Sequence, residues 1–280
     1  MKLGIIISSI VIIFGISAQA KKTRAGHKKC SWGCKSIPPL TKSHLQFGEG
    51  QQEALPSSNL KILIWNIYKG RKDNFSEFYP KHIEDSHLAL IQEYMMSKDV
   101  IPTIDDNREH NMSVSFWMKK KQETGVITIS TAKAEKIAVQ RTSGKEPFVK
   151  SPKTNMVAYH KLQGSDLSLL SINIHGMNMT KTIELKKQIE MASSHINAHS
   201  GPVIFAGDFN TRNEERQIMV DQFMSGHHLE KVIYPNEFRK KKKLDHVYIR
   251  GLKINNAHLY GKNMGSDHPA IVLNVSLNKE

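Results

Sequence analysis

Apolar positions along the chain fall in short runs that stop abruptly at polar residues. Segments 60–67 (LKILIWNI) and 88–91 (LALI) are apolar at nearly every position, which predicts inner strands buried on both faces. Segments 125–130, 155–162, 167–174, 203–206, 247–249 and 270–275 repeat that strand character. Leu185, Ile189, Ala192 and Ile196 instead recur at helical spacing, with Lys and Glu between them, so 181–198 reads as an amphipathic helix laid on a sheet. Ile218, Met219 and Phe223 mark a second helix over 213–224. Many short strands with few helices predict an α/β sandwich of two sheets in one domain.

The ends of the chain read differently from its middle. Lys2, the apolar stretch 4–17 and the small-residue triplet Ala18-Gln19-Ala20 form the pattern of a secretory signal peptide, 1–20. Its apolar stretch is shorter than the ~20 residues of a spanning helix, so export to the periplasm or beyond is expected ahead of an N-terminal membrane anchor. Residues 21–58 carry Lys, Gly, Ser and Pro without a sustained apolar period and read as an N-terminal arm, which leaves 59–280 as the folded domain. Cys30 and Cys34, four apart in CSWGC, are the chain's 2 cysteines. After export they predict a small disulfide loop, ahead of free thiols and well ahead of a zinc site with His27 and His44, whose spacing matches no zinc pattern.

Over 280 residues a hydrophobic content of 39% suffices for a substantial core. The formal net charge of +14, or +13 without Lys2, favours polyanionic partners such as nucleic acid or anionic lipid. A basic run, Arg239, Lys240, Lys241, Lys242 and Lys243, stands directly before LDHV, close enough to a cleft there to neutralise successive phosphates.

The candidate chemistry sits where apolar runs stop. In VIFAGDFN, Asp208 and Asn210 lie two apart, so an extended segment aims both the same way. The carboxylate can orient or deprotonate water while the amide donates to phosphoryl oxygens; a polar turn after a buried strand is the plain alternative. In SDHP, His268 suits a general base, and because the adjacent Asp267 faces the other way, Asp245 of LDHV is the better carboxylate partner. Glu93 follows the strand LALIQ. Together with Asn66, Asp208, Asn210 and Asp267 it offers an oxygen-rich set suited to Mg²⁺ or Mn²⁺, with Ca²⁺ a further option, rather than to zinc. Asn173 and His175 alternate on one strand and are expected to face the same cleft, Asn173 toward phosphate and His175 as a second acid or phosphate donor.

Taken together, WNI, QE, NIH, GDFN, LDHV and SDHP, spread from about Leu60 to about Val275, resemble the endonuclease/exonuclease/phosphatase superfamily with its DNase I-like fold. ILIWNIYK, GPVIFAGDFN, RGL and SDHP look most like its YafD-like bacterial branch. The resemblance implies a four-layered α/β sandwich of two mostly antiparallel sheets flanked by helices, and phosphoester cleavage with a divalent cation. It implies that Asn66, Glu93 and Asp267 hold metal and phosphate, that Asp208 and Asn210 serve nucleophile and transition state, and that His268 with Asp245 is the general base. Tyr68 stands where some repair nucleases of the superfamily carry an acid, and His175 where they carry Tyr, which argues against abasic-site repair. GDFNTR contains the Asn-x-Arg of inositol polyphosphate phosphatases, whose second signature is missing before Val247. The expectation is an exported divalent-metal-dependent phosphodiesterase, first a low-specificity deoxyribonuclease with DNA as substrate. A phospholipid phosphodiesterase acting on membrane lipid, a small-molecule phosphatase and a non-catalytic DNA-binding module on the same fold are the alternatives; no protein partner is implied.

Overall fold

The computed structural model describes residues 34–98, 100–118, 122–234, 244–261 and 264–278. The elements in chain order are β1 (Cys34–Ser36), β2 (His44–Phe47), β3 (Leu60–Asn66), α1 (Phe75–Glu84), β4 (Leu88–Met95), β5 (Glu109–Met118), β6 (Glu123–Ser130), β7 (Lys136–Arg141), β8 (Thr154–Lys161) and β9 (Ser168–His175). They continue with α2 (Thr182–Glu190), α3 (Ser193–Asn197), β10 (Val203–Asp208), α4 (Glu214–Gly226), β11 (Glu230–Lys231), β12 (Asp245–Arg250), β13 (Leu252–Leu259) and β14 (Ile271–Leu277). One eight-stranded sheet runs β1-β5-β6-β4-β3-β14-β13 with β2 also on β5, and a six-stranded sheet runs β11-β12-β10-β9-β8-β7. Neighbouring strands are antiparallel except for two parallel pairs, β3 with β4 and β9 with β10.

Strand alternation builds the layers. On β3, Leu60, Ile62 and Ile64 face the second sheet and meet Ile204 and Ala206 of β10, while Leu63 and Trp65 turn outward to Phe75, Tyr79 and Ile83 of α1. On β10, Val203 and Phe205 turn outward to Leu185 and Ile189 of α2, Ile196 of α3 and Val220 and Met224 of α4. Helix, sheet, sheet and helix layers follow from that period-two pattern, and the four-layered DNase I-like sandwich expected from the motifs is the fold observed.

The structure corrects the reading of 21–58 as an arm, because its second half belongs to the domain. β1 and β2 both pair with β5, and Leu55 is fully buried between the sheets, bridged to Leu162. Those strands attach through backbone hydrogen bonds, which need no apolar period. The proposed signal peptide, Cys30 and the basic run Arg239–Lys243 lie outside the described residues; Cys34 lies on β1, but its side chain is not described. The single helix expected over 181–198 is two, α2 and α3.

Candidate active site

The two parallel pairs end at the same edge of the sandwich, so four strand ends from two sheets meet there. Asn66 ends β3 in register with Gln92 of β4, and Asp208 ends β10 with His175 of β9 on one side and Asp245 of β12 on the other. Asn66 Nδ2 donates to Asp208 Oδ2 at 3.0 Å, tying the sheets together at the cleft floor.

The SDHP turn is docked onto β3. Trp65 Nε1 donates to the His268 carbonyl at 3.2 Å, and the Ser266 hydroxyl donates to the Asn66 carbonyl at 2.6 Å. His268 is thereby held with Nδ1 2.9 Å from Asp245 Oδ2 and Nε2 3.9 Å from Asp208 Oδ2. Asp267 follows Ser266, and its Oδ1 lies 3.5 Å from the Ser266 hydroxyl.

Glu93 reaches the cleft through a bulge. The register of β4 against β6 shifts between Ile91 and Tyr94, and Glu93 adopts a left-handed φ of 53°, which turns its carboxylate out of the sheet. It is ion-paired to Lys69 and lies 3.9 Å from His175 Nε2, which in turn lies 3.6 Å from Asp208 Oδ2. Asn210, also left-handed at φ 52°, donates its backbone N–H to Asp208 Oδ1 at 2.9 Å and its side-chain amide to the Gly176 carbonyl at 3.0 Å. Backbone strain of this kind survives where surrounding contacts over-determine it, as they do at both positions.

Charge is arranged unevenly. Burial works to raise Glu93, but Lys69, His175 and Lys153 outweigh it and hold the carboxyl at about 2. Asp208 goes the other way, raised to about 6 by burial and by repulsion from Asp245. Burial pushes His268 down, yet Asp245 by charge and hydrogen bond, with Asp208 and Asp267 behind it, raises it to about 10. His175 stays neutral because burial and the Lys153 ammonium, which donates to Nε2 at 3.0 Å, drive it well below its usual value.

This donor set fits a divalent hard cation. Asp208, Asp245 and His268 offer donor atoms all within 4.8 Å of one another, and Glu93 and Asp208 flank His175, lying 3.9 and 3.6 Å from its Nε2. The crowding that raises Asp208 and keeps His268 charged far above neutrality marks a surplus of negative charge around these two residues that a divalent ion would offset.

Of the residues expected at the site, Asn66, Glu93, His175, Asp208, Asn210, Asp245, Asp267 and His268 come together at this edge. Asn173 does not, which corrects its assignment to phosphate. It is fully buried between the sheets, donating to the carbonyls of Ile91 and Ile127 at 3.2 and 2.9 Å and accepting from Gln92 Nε2 at 2.8 Å. Lys69, Lys153 and Arg216 were not anticipated. Buried Arg216, in the first turn of α4 behind the Asn213 cap, donates to the carbonyls of Asn210 at 2.8 Å and Met177 at 2.7 Å, clamping the GDFN loop. The helix itself was legible in sequence, but nothing local marks where a long side chain in its first turn will reach.

Solved structures share this fold. An endonuclease/exonuclease/phosphatase family protein from Leptotrichia buccalis superposes with a TM-score of 0.60 at 18% identity, covering 78% of this chain and 100% of that one. The human Nocturnin catalytic domain gives 0.62 at 14% over 86% and 99%, and a mannosyl-6-phosphatase from Bacteroides thetaiotaomicron gives 0.56 at 14% over 78% and 100%. No protein-family model matches the chain. A UPF0294 protein of Vibrio campbellii is 30% identical over 226 residues, 79% of either chain. On that likeness, spread across most of both sequences, the chain belongs to the UPF0294 family.

Proposed function

We propose that this chain is an exported metal-dependent phosphoester hydrolase that cleaves phosphodiesters of a polyanion, DNA first among them. The observation that carries the reading is the convergence, from two sheets, of Asp208, Asp245 and His268 within 4.8 Å. Asp245 fixes the tautomer and orientation of His268 through Nδ1, which leaves Nε2 toward Asp208 to take a proton from water. Asn66 and Asn210 keep the Asp208 carboxylate in place while the reaction proceeds. Glu93, Asp208 and Asp267 are the residues that would hold the cation. Mg²⁺ or Mn²⁺ bound there would supply Lewis-acid polarisation of the phosphoryl group and charge to offset the carboxylates. His268, relieved of part of their field, could then act as a base near neutral pH.

Substrate and location rest on sequence. The net charge of +14 and the run Arg239–Lys243 favour nucleic acid, and the Lys2, 4–17 and Ala18-Gln19-Ala20 pattern favours export. A second reading has its own support: a cavity of about 540 Å³ beside Glu93 and His175 is of a size that takes a small phosphoester. The test is plasmid nicking by the full chain with Mg²⁺, with EDTA and with His268→Ala, at low and moderate salt. Nicking abolished by EDTA and by the variant supports the nuclease. Intact plasmid throughout, with hydrolysis of a sugar phosphate or choline lipid, moves the assignment to that substrate, and inertness on all of them sinks the hydrolase reading.

A further inference from the structure

Lys69 has no place in the hydrolytic scheme above, yet the backbone is bent to deliver it. It stands three residues after Asn66, and Tyr68, Lys69 and Gly70 take consecutive left-handed φ values of 50°, 60° and 65°. Left-handed backbone is costly for residues with a Cβ, and a run of it persists only where the surroundings impose it. They do so here. The Ile67 N–H donates to the Gln92 carbonyl at 3.0 Å, the Tyr68 N–H to Asn66 Oδ1 at 3.1 Å and the Gly70 N–H to the Ile67 carbonyl at 2.9 Å. A Cβ on Gly70 would sit 3.0 Å from both Phe75 and Val100, so the loop is packed as well as bonded.

The strained loop places the Lys69 ammonium on the Glu93 carboxylate, whose own residue is left-handed at φ 53°. The pair is largely enclosed, with side-chain exposures of 18% and 20%. Glu93 is also a carboxylate that the proposed hydrolase would give to its cation, and an ammonium and a divalent ion repel each other when crowded onto one carboxylate. Lys69 also lines the cavity beside the cleft, whose wall carries Arg71 and the Lys153–Glu146 ion pair, so a phosphate entering that cavity would give an ammonium leaving Glu93 a new counter-charge.

We propose that Lys69 is a resident cation of the active centre, which holds Glu93 until a divalent ion takes that carboxylate and then turns its ammonium to the phosphate of the substrate. The inference rests on the reading of Glu93 as a cation ligand. It follows that in the apo site Glu93 is charge-balanced by its own lysine, and that divalent-ion affinity is weakened by an internal competitor. Phosphate binding, by contrast, is strengthened once the ion is in place.

Calorimetric titration of the full chain with Mn²⁺ alone, in wild type, Lys69→Met, Glu93→Gln and the double variant, tests the first half. Lys69→Met is expected to bind Mn²⁺ at least tenfold more tightly, and the gain is expected to vanish in the Glu93→Gln background. Unchanged or weaker Mn²⁺ binding by Lys69→Met, with Glu93→Gln weakened, overturns the competition while leaving Glu93 a ligand. Wild-type affinity in Glu93→Gln overturns both the competition and the ligand assignment beneath it. Lys69→Gln, with the same loss of charge, stands in if the Met variant fails to fold. The second half is read by inorganic phosphate at saturating Mn²⁺, whose affinity is expected to fall at least tenfold in Lys69→Met; an unchanged value overturns it. None of these titrations depends on which phosphoester is cleaved.

Discussion

His268 and Asp245 are hydrogen-bonded across the two sheets, with Nδ1 2.9 Å from Oδ2 and 3.0 Å from Oδ1. Asp245 opens β12 in the six-stranded sheet, whereas His268 sits in the turn before β14 in the eight-stranded one, so the pair exists only when the sandwich is closed. Asp245→Asn keeps an acceptor in place but removes the charge. Hydrolysis is expected to fall on the order of 100-fold or more, the scale of a lost general base. The imidazole of His268, raised to about 10 in the wild-type protein, is expected to titrate lower, as read by NMR of the ring protons. Retention of both activity and the high titration would show that Asp245 does not govern His268.

A buried amide makes the second prediction. Asn173 is fully buried and serves the carbonyls of Ile91 and Ile127 as well as Gln92. Asn173→Ala leaves those three groups without that partner, and a buried unsatisfied group costs about 1–3 kcal/mol. Urea denaturation is expected to show a loss of about 3 kcal/mol, with turnover per folded molecule nearly unchanged. A stable variant with lost phosphate affinity would restore the role in substrate binding that the sequence suggested.

That misreading shows where sequence reasoning stops. Period-two alternation correctly places Asn173 and His175 on one face of β9, but it carries no information about depth. Two residues along a strand are about 6.6 Å apart, enough here to put His175 at the cleft and Asn173 under the seal made by Gln92. Motifs at strand ends were legible because an apolar run that stops at Asn, Asp or Glu marks the edge of a sheet. Lys69 and Lys153 were not, since each arrives on a loop whose path is set by contacts distant in sequence. α1 is not legible in the sequence because Pro80 interrupts a charged segment, although Phe75, Tyr79 and Ile83, all buried, recur every four residues.

Gly207 is a position where a single methyl group should be fatal. Its φ of 139° is one that residues with a Cβ rarely adopt, and a Cβ there would lie 2.1 Å from the Ile174 carbonyl and 3.0 Å from Gln92 Nε2. β9 and β10 are hydrogen-bonded on one side and Gln92 closes the other, so neither neighbour can withdraw without opening the cleft. Gly207→Ala is expected to cost more than about 3 kcal/mol, combining backbone strain with overpacking. A soluble variant with wild-type melting temperature would refute this account of the GDFN turn.

His160 carries the pH dependence of stability away from the cleft. It is completely buried on β8, neither ring nitrogen has a hydrogen-bond partner among the described residues, and burial holds it down at about 4. An unfolded chain releases this histidine to titrate near its usual value of about 6.5. As pH falls below that value, the unfolded state takes up a proton that the folded state refuses until about 4, so stability declines through the window and levels off beneath it. Between pH 7.5 and 4.5 the linkage amounts to about 2.5 kcal/mol. His160→Leu removes the titrating group while keeping comparable volume, so the difference in stability between variant and wild type is expected to shift in favour of the variant by about that amount over the same interval. Urea denaturation of both proteins at the two pH values measures it, and the comparison cancels the other histidines, which titrate in both chains. Parallel losses in the two proteins would mean that His160 gains a proton partner inside the fold and that acid lability originates elsewhere.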